Sequence, residues 1–199
     1  MNRKVIVFDL GGVLVDFHPE KGLRKIGFSE EVIRIFLNKI FHGLWESCDR
    51  YPYSDPEIRA LFKRAVPGYE KEVDMLWDNL TVVTGVRPYT EEWLQDLKQQ
   101  GYQLYVLSNY GKNSFEINSK IYGFLRHFDG GVISYEVELM KPEAEIYDRL
   151  AQKYGFEPED AVFIDDRQVN VDGAIARGYH GILFEDYEQA KKELQELLS

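Results

Sequence analysis

Five short apolar runs, separated by helical patterns from the second run onward, constrain the fold of this 199-residue chain more than any other feature. The runs are rich in Val, Ile, Leu, Phe and Tyr, which favour strands. They cover residues 4–8, 102–107, 131–135, 161–165 and 180–184. Near-continuous apolar strands that alternate with helices are typical of a parallel sheet covered on both faces. We therefore predict an α/β fold.

The helical patterns between these strands have recognisable ends. Thr90, followed by two glutamates, is predicted to cap a helix, and Gly101 is predicted to end it. Pro142 predicts the start of the next helix, which ends before Gly155. Two more helices are expected at 168–177 and 187–198.

Residues 17–86 break the alternation because they carry only helical signals. Ser29 precedes one amphipathic pattern, and Ser54 with Glu57 forms a capping-box pattern before another. A third helix is expected over 69–80. We predict a core domain formed by residues 1–16 and 87–199, and a helical cap formed by residues 17–86. The cap should lie at the C-terminal edge of the sheet, since it begins just after the first strand ends.

Composition limits the environment and the partners. The net charge of −10 argues against a surface for nucleic acid or anionic membranes. A single cysteine, Cys48, excludes an intramolecular disulfide and favours a reducing compartment. The N-terminal apolar stretch is interrupted by Asp9 and Asp16, and no run approaches ~18 apolar residues. We expect a cytoplasmic protein with no membrane or nucleic-acid partner.

Chemically active side chains follow four of the predicted strands. They are Asp9, Ser108 and Asn109, Lys141, and Asp165 with Asp166. Ligands of open parallel sheets bind outside the carboxyl ends of the strands. The aspartates are hard oxygen ligands that suit Mg²⁺, whereas Lys141 and the neutral donors suit phosphoryl oxygens. Asp9 could then attack phosphorus in line and form an aspartyl-phosphate that water hydrolyses.

The segments VFDLGGVL, VLSN, MKPE and FIDDRQVN, in this order, resemble the four motifs of the haloacid dehalogenase superfamily. The resemblance extends over essentially the whole chain, and the helical insert resembles the family's small helical cap. It implies a Rossmann-like core of parallel strands flanked by helices.

The resemblance also implies roles for individual residues. Asp9 would be the nucleophile; Asp9, Asp166 and the backbone carbonyl of Gly11 would bind Mg²⁺, and Asp165 would assist. The phosphoryl group would be held by Ser108, Asn109 and Lys141, and Asn170 would orient the metal ligands.

Gly11 departs from the pattern of most phosphatases of this family, which have a second aspartate at this position to protonate the leaving group. Such help is worth roughly 10²- to 10⁴-fold. The motif DLGGVLVD, with VRPYTEEWLQDL and WESCDR, resembles a branch that includes bacterial phosphatases of sugar 1-phosphates. We therefore expect a small phosphorylated metabolite as substrate, such as a hexose 1-phosphate.

Several residues around the insert could supply the missing acid. The candidates are Asp16, His18, His42, Glu46 and Asp49. Three aromatic residues could stack on a sugar, although packing is the more common role of such residues. These are Trp45, Tyr51 and Tyr53.

Two other functions stay open at the level of sequence. In a 2-haloacid dehalogenase the same aspartate attacks carbon without a metal, and the absence of a second aspartate fits, but the pair of Asp165 and Asp166 has no role there. A degenerate, non-catalytic module that binds a phosphorylated ligand is supported only by the missing acid.

Overall fold

The computed structural model describes residues 4–198. Its strands are β1 (Val5–Phe8), β2 (Val15–Phe17), β3 (Thr84–Val86), β4 (Gln103–Ser108), β5 (Gly130–Ile133), β6 (Ala161–Asp165) and β7 (His180–Leu183). Its helices are α1 (Pro19–Ile26), α2 (Glu30–Phe36), α3 (Leu44–Ser47), α4 (Asp55–Ala65), α5 (Glu70–Asp78), α6 (Thr90–Gln99), α7 (Lys112–Asn118), α8 (Ser134–Val137), α9 (Ala144–Tyr154), α10 (Gln168–Ala176) and α11 (Tyr187–Leu198). A π-helical turn covers Leu37–Phe41, and 3₁₀ turns cover Leu80–Val83, Gly123–His127 and Pro158–Asp160.

The predicted α/β fold is confirmed by a five-stranded parallel sheet in the order β5-β4-β1-β6-β7. β1 is the central strand and is buried along its whole length. Its side chains alternate between the two faces of the sheet, because successive residues of a strand point in opposite directions. Ile6 and Phe8 join an apolar cluster that includes Trp93 of α6, whereas Val5 and Val7 join one that includes Tyr147 of α9.

The segment between β2 and β3 forms an apolar core of its own. Phe36, Ile40, Phe62, Leu76 and Leu80 are almost completely buried in this cluster. The capping box of Ser54 and Glu57 and the cap at Ser29 form as predicted, and both satisfy backbone amides that the first helical turn leaves unpaired. Among residues 4–198, no helix is both long and apolar enough to cross a membrane.

The structure corrects the sequence prediction in the insert, where only helices were expected. β2 and β3 pair in an antiparallel ribbon, with Asp16 opposite Gly85. A three-residue strand is too short to give a period-2 signal, and the ribbon therefore depends on contacts between distant segments.

One predicted helix cap, one helix start and one strand bound are also corrected. Thr90 does not cap α6: its hydroxyl donates to the carbonyl oxygen of Leu14 instead, at 2.7 Å. Pro142 does not begin α9, which starts at Ala144. The third strand of the sheet, expected over 131–135, ends at Ile133, where the chain turns into α8.

Candidate active site

The carboxyl ends of β1, β4 and β6 lie side by side because these strands are parallel neighbours. Asp9 follows β1, Ser108 ends β4, and Asp165 ends β6. Lys141 arrives on the segment after α8, with its side chain only 1% exposed. The structure thus brings together side chains that are up to 156 positions apart in the sequence.

One oxygen of Asp9 is surrounded by donors. Its Oδ1 accepts from the backbone amide of Leu10 and the hydroxyl of Ser108, both at 2.7 Å, and lies 3.0 Å from Nζ of Lys141. Hydrogen bonds from the described residues reach Oδ1 and not Oδ2. Burial raises the pKa of Asp9 above its ordinary value; the charge of Lys141 opposes the increase, and that of Asp165 adds to it. The arrangement orients the carboxylate and leaves Oδ2 available to a ligand.

Lys141 bridges two buried carboxylates. Besides Asp9, its Nζ contacts Oδ2 of Asp165 at 2.6 Å. Burial alone would lower the pKa of Lys141, but the charges of Asp9 and Asp165 outweigh burial and raise it. A buried ammonium held between two carboxylates is therefore charged at neutral pH.

Asn109 positions Lys141 through reciprocal hydrogen bonds. The side-chain amide of Asn109 donates to the carbonyl oxygen of Lys141 at 3.0 Å, and the backbone amide of Lys141 donates to Oδ1 of Asn109 at 2.8 Å. This pairing joins the end of β4 to the segment that carries the lysine. Phosphate binding by Asn109 itself stays a prediction.

Asp165 is completely buried and fully engaged with the protein. Its Oδ1 accepts from the backbone amide of Arg167 at 2.8 Å and from the side chain of Asn170 at 2.9 Å. Its Oδ2 faces Lys141. Asp166, the next residue, is exposed. The two adjacent aspartates therefore differ: one is held by protein donors and the other is open to a ligand.

Gly12 permits the approach of Asp166. Its φ is +76°, and a Cβ at this position would lie 2.0 Å from Oδ2 of Asp166. At Gly11, in contrast, no atom lies within 4 Å of where a Cβ would stand. The backbone therefore allows a side chain at Gly11, and the sequence does not provide one.

The donors at this edge of the sheet fit a divalent cation. Asp9, Asp165 and Asp166 each offer a carboxylate oxygen within 4.8 Å of the others. Oδ1 of Asn170 is buried, borders the same cavity, and has no hydrogen-bond partner among residues 4–198. Carboxylate oxygens, such as those of Asp9 and the exposed Asp166, and an unpartnered amide oxygen are the hard ligands that Mg²⁺ prefers. The individual ligand roles, including that of the Gly11 carbonyl, stay predictions.

A cavity of about 420 Å³ opens beside these residues, and residues of the insert form part of its lining. Of the residues considered as substitute acids, Asp16, His18, Glu46 and Asp49 border it. His42 does not border it. Trp45 also borders the cavity, whereas Tyr51 and Tyr53 line a smaller hollow between the insert and residues 111–114.

Arg87 is a cavity residue that sequence reasoning missed. Its Nε lies 2.9 Å from the carboxylate of Asp16, and its guanidinium lies 5.5 Å from the centre of the Phe184 ring. The one feature of the sequence that could have indicated Arg87 is its position directly after the insert, within VRPYTEEWLQDL. Arg87 adds a positively charged side chain to the lining of the cavity.

Comparison with known proteins gives consistent results. A D-ribitol-5-phosphate phosphatase of Bacteroides thetaiotaomicron is 25% identical, with 98% of each chain covered. Acyl-CoA dehydrogenase family member 10 of Mus musculus is 27% identical over 98% of this chain, but the chain spans only 19% of that protein. The crystal structure of the HAD family enzyme bt-2542 from Bacteroides thetaiotaomicron, in complex with magnesium and inorganic phosphate, matches with a TM-score of 0.74, 24% identity, and 94% and 98% of the two chains covered.

The family model for haloacid dehalogenase-like hydrolases matches residues 3–178. This range contains the strand-end cluster and the whole insert between β2 and β3. The expected family is thereby confirmed: the chain belongs to the haloacid dehalogenase-like hydrolases.

Proposed function

We propose that this hydrolase is a Mg²⁺-dependent phosphomonoesterase that acts on a small phosphorylated metabolite through an aspartyl-phosphate on Asp9. The observation that carries the proposal is the buried Lys141, 3.0 Å from Asp9 and 2.6 Å from Asp165, beside the exposed carboxylate of Asp166. A cation is thus fixed between the nucleophile and a second carboxylate at the edge of the cavity. Lys141 offsets part of the repulsion that an anionic group would meet at this acidic edge, and a bound divalent cation would offset more of it.

The chain's own residues account for the positioning in the first step. Oδ2 of Asp9 attacks phosphorus while Ser108 and Lys141 hold Oδ1. Lys141 has three N–H donors, and two of them point to carboxylates, which leaves one for a phosphoryl oxygen. Bound Mg²⁺ would be held by Asp9 and Asp166 and would offset the repulsion between the carboxylate and the phosphate.

The substrate class that we propose is a sugar phosphate, such as a hexose 1-phosphate. Its anomeric oxygen leaves more easily than an ordinary alkoxide, which suits a site without a side chain at Gly11. Trp45 and Phe17 lie with ring centres 5.7 Å apart at the insert side of the cavity, where a sugar ring could stack. The similarity to a D-ribitol-5-phosphate phosphatase supports a polyol or sugar phosphate.

The test is phosphate release from a panel of phosphorylated metabolites, with and without Mg²⁺. We expect Mg²⁺-dependent release with sugar phosphates, and we expect Asp9→Asn to abolish it because amide nitrogen and oxygen do not replace the nucleophilic carboxylate. Asp172→Asn is the matched control, since Asp172 is an exposed aspartate on α10 that bonds to Gln168. Full activity in Asp9→Asn would exclude Asp9 as the nucleophile.

The two alternative functions predict different results in the same assay. A 2-haloacid dehalogenase would release halide from 2-haloacids in the presence of EDTA. The carboxylate cluster argues against this function, because that chemistry needs no metal. A non-catalytic module would be stabilised by phosphorylated ligands but would release no phosphate from any of them.

A further inference from the structure

The cavity holds a buried carboxyl group whose role the strand-end residues do not explain. Asp49 follows α3 of the insert, is only 8% exposed, and borders the same cavity as Asp9, Gly11 and Lys141. It is the most buried of the insert's acidic residues at this cavity, since Glu46 is exposed. A buried carboxyl group beside a cavity requires an explanation, because removing its charged form from water costs free energy.

The backbone at Asp49 is attached to the core domain. Its carbonyl oxygen accepts from the hydroxyl of Ser134 at 2.6 Å, and the same hydroxyl accepts from the backbone amide of Tyr110 at 2.9 Å. The next residue, Arg50, donates to the carbonyl oxygen of Glu138 at 2.9 Å and pairs with Glu143. Asp49 is therefore held against the edge of the sheet that carries the nucleophile, and its position does not depend on the insert alone.

The surroundings of Asp49 favour its protonated form. Burial raises the pKa of Asp49 to about 8, the charges of Glu46 and Asp9 add to the increase, and the backbone of Gly111 partly offsets it. The phenol of Tyr110 and the thiol of Cys48 are titratable groups that also interact with Asp49. Asp49 thus holds its proton at neutral pH, while facing a site whose expected donor at Gly11 is missing.

The other candidates lack one of these properties. Asp16 is only part-buried, and its carboxylate lies 2.9 Å from Nε of Arg87. The side chain of His18 is 57% exposed, and His42 lies outside the cavity. A general acid has to reach the leaving group and carry a proton at working pH. Among the candidates, Asp49 alone combines burial at the cavity with a backbone fixed to the core domain.

We propose that the carboxyl group of Asp49 is the general acid and base of the reaction and takes the place of the aspartate absent at Gly11; this assignment rests on the proposed phosphatase function. In the first step, Oδ2 of Asp9 forms a bond to phosphorus. The bond between phosphorus and the ester oxygen breaks, its electron pair goes to that oxygen, and the proton of Asp49 follows to give the alcohol.

The second step restores both groups. A water oxygen attacks phosphorus, and one of its protons passes to the carboxylate of Asp49. The bond between phosphorus and Asp9 breaks with its electron pair returning to the carboxylate, and phosphate leaves. The acid of the first step is the base of the second, so each turnover consumes one ester and one water.

The experiment compares two substrates of similar shape, 4-nitrophenyl phosphate and phenyl phosphate, in Mg²⁺. The nitrophenolate leaves without help, whereas phenolate leaves better when protonated. For Asp49→Asn we expect kcat/KM for phenyl phosphate to fall by roughly 10²- to 10⁴-fold and kcat/KM for 4-nitrophenyl phosphate to change little. A burst of about one equivalent of nitrophenolate should precede slow turnover, because the water of the second step has lost its base.

Two measurements separate this role from a structural one. The wild-type kcat/KM for phenyl phosphate should fall above about pH 8 as Asp49 loses its proton, and this decrease should be absent in Asp49→Asn. Glu46→Gln leaves Asp49 in place but removes a negative charge that raises the pKa of Asp49. This variant should keep the wild-type ratio of kcat/KM for the two substrates, and its kcat/KM for phenyl phosphate should begin to fall at a lower pH.

Stability gives a readout that does not depend on turnover. Between about pH 4 and pH 8 the folded chain keeps a proton on Asp49 that the unfolded chain has lost, so the free energy of unfolding falls as pH rises. In EDTA above pH 8, Asp49→Asn should therefore melt higher than the wild type. If Asp49→Asn melts at a lower temperature than the wild type, or loses kcat/KM equally with both substrates, the assignment of Asp49 is wrong and the phosphatase proposal still stands. No turnover of either substrate by the wild type would overturn both.

Discussion

At the scale of single residues, the metal site depends on the lack of a side chain at Gly12 as much as on the carboxylates. Gly12 has a positive φ of +76°, and a Cβ there would overlap the carboxylate of Asp166. Glycine is therefore required twice, for the backbone conformation and for the close approach.

A comparison of Gly12→Ala with Gly68→Ala separates the effect of backbone conformation from the effect of the close approach to Asp166. Gly68 has a φ of +90° but no atom within 4 Å of its would-be Cβ, so both substitutions strain the backbone and only the first displaces a carboxylate. We expect Gly12→Ala to weaken Mg²⁺ binding by about 10- to 100-fold, as for other changes that misplace metal ligands. Calorimetric titration with Mg²⁺ measures this; equal affinities in the two variants would show that Gly12 does not position Asp166.

At the scale of elements, the end of α3 is tied to the segment between α8 and α9. Arg50 reaches both the carbonyl oxygen of Glu138 and the carboxylate of Glu143. Its side chain is 29% exposed and that of Glu143 is 37% exposed, so solvent screens the pair only in part. This contact holds the insert over the cavity beside Asp49.

Arg50→Gln should reduce kcat/KM for phenyl phosphate about two- to fivefold, the factor that corresponds to the ~0.5–1 kcal/mol of a partly exposed ion pair. The expected cause is a smaller population of molecules with the insert docked. Arg177→Gln is the matched control, because Arg177 pairs with Asp148 between two helices of the core domain. A similar loss in both variants would attribute the effect to general destabilisation.

Much of the sheet and the strand-end cluster could be predicted because both depend on local patterns. Apolar runs identify β1 and β6, and the polar residue that ends each strand is adjacent to its run, so parallel pairing alone brings Asp9 and Asp165 together. Thr90 was misassigned because a hydroxyl before two glutamates is a good cap signal, yet the carbonyl of Leu14, 76 positions away, competes for it. Local sequence does not contain that competitor.

The proposed role of Asp49 marks the limit of sequence reasoning. The residue was recognisable as one acidic candidate among several in or near the insert, and no periodicity distinguishes it from Glu46. Its burial results from the packing of α3 against the segments at Gly111 and Ser134, which are more than 60 positions away. Such contacts between distant segments decide which carboxyl keeps its proton.

At the scale of the whole molecule, an acidic chain concentrates three of its carboxylates at one edge of its sheet. The net charge is −10, and Lys141 neutralises only part of the cluster formed by Asp9, Asp165 and Asp166. Repulsion among these groups opposes folding, so a bound divalent cation should contribute to the stability of the fold.

Mg²⁺ should therefore raise the melting temperature, and EDTA should reverse the increase. At a concentration 100 times Kd, binding adds about 2.7 kcal/mol to the free energy of unfolding. Asp166→Asn should remove most of the increase, whereas Asp172→Asn should keep it because Asp172 lies outside the cluster. Differential scanning fluorimetry with and without Mg²⁺ measures both, and an unchanged shift in Asp166→Asn would exclude Asp166 as a ligand.

The ribbon of β2 and β3 brings the two ends of the insert together, with Phe17 paired to Thr84. A segment whose ends already lie side by side can be exchanged for another without altering the sheet that carries Asp9. In this chain the exchangeable segment would carry the proton donor together with the walls that contact the substrate. Replacing this insert with that of a related hydrolase would therefore change substrate preference and acid catalysis together. Exchange of the insert is one way in which hydrolases with this core could acquire new substrates.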